Sequence, residues 1–213
     1  LLPEADLPRD ICGLCLTDQD ISPHLACLSG AEQGRFQRIR HPRAKRHFVL
    51  GRSALRTLLG EQLNMEPQAV PLWTDEVGAV RCEVPGWRCS IAHSEQRVIA
   101  VAARRRIGVD VERIQPRDSG IADNMVRCDE QAMFDALPVD RVRAVILCWT
   151  LKEAALKAVR IGLRKSAKAC RLDIDYAAST ASALIVESAA TLHAAFAEQE
   201  GYFVSVAWGR ALS

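Results

Sequence analysis

With 213 residues, 49% of them hydrophobic and 25% charged, the chain can bury a sizeable core as one domain or two small ones, and its composition is ordinary for a globular protein. A net charge of +2 and a pI of about 8.2 exclude an argument for nucleic-acid binding from charge alone. No apolar run approaches the roughly 18 residues of a membrane span, and Leu1-Leu-Pro-Glu4 lacks a secretory signal's basic-then-apolar pattern, so a cytoplasmic, non-membrane protein is expected.

Residues 1 to 30 carry no clear period, although Leu14-Cys-Leu16 reads as part of a strand. Cys12-Gly-Leu-Cys15 is a C-x-x-C, but no second pair follows at zinc spacing. The eight cysteines are irregularly placed and read as free thiols in a reducing compartment. From Ala31 to Gly60 the pattern is helical and basic. Pro42 divides it into a short helix and a longer one over about residues 43–62, with Gly60 near the end. Arg35, Arg46 and Arg52 fall among apolar residues there, on either a solvated basic face or an anion site. Pro and Gly punctuate 67–87, where short strands are expected at Leu72-Trp73 and Val80–Val84. Ser90-Ile91 and Val98–Ala103 read as two strands with His93, Ser94 and Glu95 near their turn, and Arg104-Arg-Arg106 as the join between two halves.

Ile107-Gly-Val-Asp-Val-Glu112 then alternates strictly. Ile107, Val109 and Val111 point to one side and Asp110 and Glu112 to the other, so the stretch predicts a strand with a dry face and an acidic face. Residues 116–138 begin polar and become mildly helical from Asp129 to Leu137, with Met125, Val126, Met133 and Phe134 divided between core and a docking surface. A long helix is predicted over Val142–Ile161, ended by Gly162-Leu163. In it, Trp149, Glu153 and Lys157 lie four apart and share one face, drifting by only about 40° per step. Beyond Leu172, strands are expected near Ala183–Val186 and Tyr202–Trp208, and His193 has no evident partner.

The mid-chain strand and the later helix together offer the carboxylates of Asp110, Glu112 and Glu153 with Lys152 and Lys157 nearby. Hard oxygen donors beside lysines suit a magnesium ion that completes its shell with water and phosphate. Taken singly, the acidic pair reads equally as a solvated face, and Glu153/Lys157 as an ordinary helical ion pair of about 0.3–0.5 kcal/mol.

These segments resemble the signature of the 4′-phosphopantetheinyl transferase superfamily. A G-(I/V)-D-(hydrophobic)-E strand is followed there, about forty residues on, by a W-(S/T)-x-K-E-(A/S)-x-x-K helix. Trp149-Thr-Leu-Lys-Glu-Ala-Ala-Leu-Lys157 matches that helix. Ser90-Ile-Ala-His-Ser94 stands where the family has Ser-His-Ser, and the likeness covers residues 35 to 165. Two departures are Ala92 in place of serine and Gly78-Ala79-Val80 in place of Gly-Lys-Pro.

The resemblance implies an α+β protein of two similar halves, 1–103 and 104–213. Each half has helices packed on a small, mostly antiparallel sheet, with coenzyme A in a cleft between them. It implies Mg²⁺ held by Asp110, Glu112 and Glu153. It implies catalysis by Glu153 and Lys157, and coenzyme A contacts from Arg35, Arg46, Arg52, His93, Lys152 and Lys157. The implied reaction moves the 4′-phosphopantetheine arm of coenzyme A onto a serine of an acyl or peptidyl carrier protein, performed by a monomer without nucleic acid. Trp149 is expected to anchor the helix by packing. The alternative reading is a non-catalytic homologue that binds coenzyme A or carrier protein.

Overall fold

The computed structural model describes residues 7–117, 120–160 and 166–211. Its contacts divide the chain into one unit of Asp10–Arg104 and another built chiefly from Arg105–Ser213. Each unit sets helices against antiparallel strands, so the α+β, two-lobed architecture expected from the sequence is present.

In the first unit β1 (Cys12–Leu16) precedes two helices, α1 (Gly30–Arg38) and α2 (Pro42–Leu63). Serine starts α1: Ser29 Oγ accepts from the Glu32 amide, and Glu32 Oε2 accepts from the Ser29 amide at 3.1 Å, a reciprocal capping box. Pro42 opens α2 at a position where its missing N–H costs nothing. The helix runs one turn beyond Gly60 and stops at Asn64, whose φ of 52° is the left-handed cap. Gly60 has a different use, since a Cβ there would stand 2.7 Å from the Met65 carbonyl oxygen. After α2 come β2 (Leu72–Thr74), β3 (Val80–Cys82), β4 (Arg88–Ser94) and β5 (Arg97–Ala103). β2 and β3 pair alone, and the other three form the sheet β1-β5-β4. The β4–β5 turn is only Glu95-Gln96, so Ser94 faces Arg97 and the strands run longer than their apolar residues alone suggest.

In the second unit β6 (Arg105–Arg113) precedes the short helices α3 (Ile121–Met125) and α4 (Gln131–Asp135), then α5 (Arg141–Ala158). Four strands follow: β7 (Cys170–Asp175), β8 (Thr180–Ile185), β9 (Ala190–Gln199) and β10 (Tyr202–Ala211). They close an antiparallel sheet in the order β6-β10-β9-β8-β7. Two of these strands were expected. The missed β9 is ATLHAAFAEQ, whose alanines carry no strand preference, and pairing on both edges makes it a strand regardless. Asp140 caps α5 by accepting from the Arg143 amide at 3.0 Å. The helix ends at Ala158, three residues short of the expected stop; Gly162-Leu163 and Lys165 lie outside the described residues. Met125, Val126 and Phe134 are core, and Met133 packs against it half-buried.

α5 is buried on most of its circumference because it lies directly on β6 and β10. Gly108 permits this. A Cβ there would overlap the Ala154 carbonyl and stand 2.5 Å from the Ala158 amide, so helix and strand meet backbone to backbone. The register gives Gly108, Asp110 and Glu112 of β6 the same face as Ala207, Ser205 and Phe203 of β10. The acidic face of the strand is therefore covered: Asp110 is 6% exposed, and only Glu112 reaches the rim. Ser205 Oγ donates to Thr150 Oγ1 at 2.9 Å, and the threonine hydroxyl donates to the Leu147 carbonyl, which keeps this buried seam satisfied.

All eight cysteines are free thiols. No helix among the described residues is long and apolar enough to cross a membrane.

Gly108→Ala should lower stability by about 1–3 kcal/mol, the usual cost of overpacking where only backbone can give way. The check is the midpoint of urea unfolding at an unchanged slope.

Candidate active site

In the second unit, β6 and α5 bring two of the expected residues into contact. Lys157 Nζ donates to Asp110 Oδ1 at 2.7 Å and to the Val109 carbonyl at 3.2 Å. Glu153, one turn earlier on the same helix face, is 5% exposed. Its carboxyl is pushed up to about 7, first by burial and then by the charge on Asp110, with Lys157 opposing and Glu112 adding to the rise. Burial likewise raises Asp110 despite the attraction of Lys157. Asp110 Oδ2 is buried without a hydrogen-bond partner, and Glu112 Oε2 accepts from Arg117 at 2.6 Å. Trp149 packs half-buried against the core.

The three acids do not form the expected metal cluster as their side chains stand. Among the described residues no three His, Cys, Asp or Glu side chains are grouped to hold a metal ion. Lys157 pairs with Asp110, and Arg117 pairs with Glu112. In kind the donor set still suits a hard dication: three carboxylates, Asp110, Glu112 and Glu153, one of them with an orphaned buried oxygen.

Lys152, expected at a coenzyme A phosphate, is held inside its own unit in this structure. It is 1% exposed, and Nζ donates to Glu130 Oε2 at 2.7 Å and to the carbonyls of Cys170 (2.7 Å) and Met125 (3.1 Å). With three acceptors facing its three donors, it holds α5 to the chain on either side. Glu130 is the counterpart: it also accepts from the amides of Arg127 and Leu172. Nothing in the i,i+4 pattern marks Glu130, which lies 22 positions away.

Two arginines of the first unit, Arg46 and Arg52, also bond within their own unit. Arg52 is 5% exposed; it donates to Thr74 Oγ1 at 2.7 Å and faces Glu32 at 3.6 Å. Arg46 donates to the carbonyls of Thr17, Asp18, Glu95 and Gln96, at 3.1, 2.9, 3.4 and 2.6 Å. Arg46 thus ties a loop and the β4–β5 turn to α2, and Arg52 ties β2 to it. Arg35 is exposed, with its guanidinium 5.2 Å from the centre of the Phe48 ring, and His93 is exposed on β4. His193, without an expected partner, stacks at 6.2 Å on Trp208 in a cavity of about 440 Å³ that also holds Asp173 and Ser182.

A family model described as the 4′-phosphopantetheinyl transferase superfamily matches residues 106–207. A putative 4′-phosphopantetheinyl transferase of Synechocystis sp. is 31% identical over 165 residues, which cover 74% of this chain and 67% of that protein. The 4′-phosphopantetheinyl transferase HetI of Nostoc sp. is 31% identical over 148 residues, covering 66% of this chain and 62% of its own length. A 4′-phosphopantetheinyl transferase of Bacillus pumilus is 26% identical over 120 residues, covering 55% and 52%. The chain thus spans less than two thirds of the Nostoc relative.

The raised Glu153 carboxyl fixes a sign. Its ionised form is disfavoured in the folded state, so its contribution to stability is full below about pH 4.5 and is lost as pH rises through about 7. In chelator, Glu153→Gln should therefore gain on the wild type by about 1–3 kcal/mol between about pH 5 and about pH 8. Paired melting curves at the two pH values measure this; a constant difference would remove the raised carboxyl.

Proposed function

This chain belongs to the 4′-phosphopantetheinyl transferase superfamily, and we propose that it transfers the 4′-phosphopantetheine group of coenzyme A to a serine of an acyl or peptidyl carrier protein, releasing adenosine 3′,5′-bisphosphate. The observation that carries the reading is the juxtaposition under Gly108: a buried aspartate paired with Lys157 beside a glutamate pushed up to about 7. That glutamate suits proton transfer near neutral pH, because a base works best when its pKa lies close to the working pH.

In this reading Glu153 takes the proton of the carrier's serine hydroxyl as the oxygen attacks the phosphorus that bears the pantetheine arm. The pyrophosphate bond breaks on the far side, and its electron pair leaves with the adenosine bisphosphate. Lys157, half-exposed at the end of the same helix face, offsets charge on the transferred phosphoryl group. Burial of Asp110 keeps Lys157 in place, since the pair is far stronger away from water than at a surface. His93 and Arg35 contact phosphates at the nucleotide end. Asp110, Glu112 and Glu153 would hold Mg²⁺, which when bound supplies charge neutralisation to the pyrophosphate and polarises the reacting phosphorus. The protein acts as a cytoplasmic monomer.

Incubating the full chain with coenzyme A, Mg²⁺ and a panel of carrier proteins should add one pantetheine arm to the carrier, read by intact mass. Chelation should stop the gain and Mg²⁺ restore it. Asp110→Ala should abolish both transfer and its response to Mg²⁺; full activity in that variant removes the metal assignment. Glu153→Gln should lower kcat by about 10²–10⁴-fold with a smaller effect on coenzyme A binding. Coenzyme A binding with no modified carrier would instead return the non-catalytic reading.

A further inference from the structure

The first unit holds its β4–β5 turn from one helix. Arg43 pairs with Glu95 at 3.2 Å. Arg46 donates to the carbonyls of both turn residues, Glu95 and Gln96. His47 Nε2 lies 2.8 Å from the Glu95 carbonyl oxygen; a carbonyl can only accept, so Nε2 carries the proton. Glu95 stands at φ 50°, a left-handed conformation that a glutamate rarely adopts, and three side chains of α2 converge on it.

The same His47 ring does a second thing. It stacks on the His93 ring at 4.2 Å between centroids and 18° between planes. His47 is 9% exposed, whereas His93 is exposed at the end of β4, one residue before Ser94 and the turn. Burial keeps the His47 imidazole towards its neutral form, with the Glu95 carbonyl opposing and Arg43 and Arg46 adding to the effect. A neutral ring offers its face to either protonation state of His93 without charge repulsion.

We propose that His47 is a positioning residue: fixed by α2 and by the Glu95 carbonyl, its ring is the shelf that orients His93 towards a phosphate of coenzyme A. The inference rests on the reading of His93 as a phosphate contact. It also gives Arg46 its place, as the second tie on the turn that carries His93. An exposed imidazole loses rotamer freedom when it binds an anion, and a shelf that has already restricted the ring reduces that loss.

The experiment compares His47→Ala, His93→Ala, the double variant and His47→Phe in the full chain. It measures Kd for coenzyme A by calorimetry and kcat and KM by carrier modification, with melting temperatures as the folding check. His47→Ala should weaken coenzyme A binding about 5–10-fold, with the loss in KM and kcat within about two-fold. The double variant should bind no more weakly than His93→Ala within about two-fold, because the shelf has no use without the ring it supports. His47→Phe, which keeps a ring face, should retain most of the affinity. Losses that multiply in the double variant, or wild-type affinity in His47→Ala, overturn the proposal. Should His47→Ala melt too low to assay, a His47→Phe loss as large as that of His93→Ala overturns it. If His93→Ala itself binds like the wild type, the phosphate reading fails and takes the inference with it. A His93 effect without a His47 effect sinks the inference alone.

Discussion

Close contact of two backbones, with no side chain between them, sets the geometry of the second unit. α5 rests on β6 at Gly108 nearer than any Cβ would allow, with Ala154 and Ala158 as its small partners on the helix. The face of β6 that begins with Gly108 continues through Asp110, so seating the helix takes that carboxylate out of water. An isolated buried charge would be too costly, and Lys157 arrives from the same helix to meet it. One close approach thus produces the buried ion pair, and burial, with the neighbouring acids adding to it, raises Glu153.

Both units secure their long helix with a buried cation held by a carboxylate from a preceding short helical turn. In the first, Arg56 meets Glu32 at 2.6 Å and donates to the carbonyls of Pro67, Gln68 and Val70. In the second, Lys152 meets Glu130 and the carbonyls of Met125 and Cys170. Each carboxylate also accepts the amide that begins its own turn, Ser29 or Arg127. Such pairs add little net stability over apolar packing, but they fix register, because any shift leaves a buried charge unmatched. The register of α5 decides whether Glu153 and Lys157 face Asp110.

The acids and the basic groups of the molecule differ in how far they are taken up by the fold. Arg46, Arg52, Arg56 and Lys152 spend their donors on carbonyls, hydroxyls and carboxylates of their own unit. Glu153 is buried with its carboxyl pushed up to about 7, Lys157 is half-buried, and Arg35 and His93 are exposed.

The sequence by itself determined the elements with strong periodicity or punctuation. These are the Pro42 break between the two early helices, the alternating strand of Gly108 to Glu112, and the helix that sets Glu153 and Lys157 on one face. Local rules suffice there, because the period of two, the period of 3.6 and a proline's missing donor act within a few residues. The partners of the charged residues were fixed only when the chain folded. A lysine or arginine in a motif looks the same whether it faces solvent or an acceptor far along the chain. Lys152 finds Glu130, Arg52 finds Thr74, and Arg46 finds four carbonyls on two loops. His47 gave no local signal either, since both of its partners, the Glu95 carbonyl and the His93 ring, come to it only when β4 and β5 fold onto α2. The alanine-rich β9 is a strand for the same reason: its hydrogen bonds are supplied by neighbours on both sides, which no window of its own residues contains.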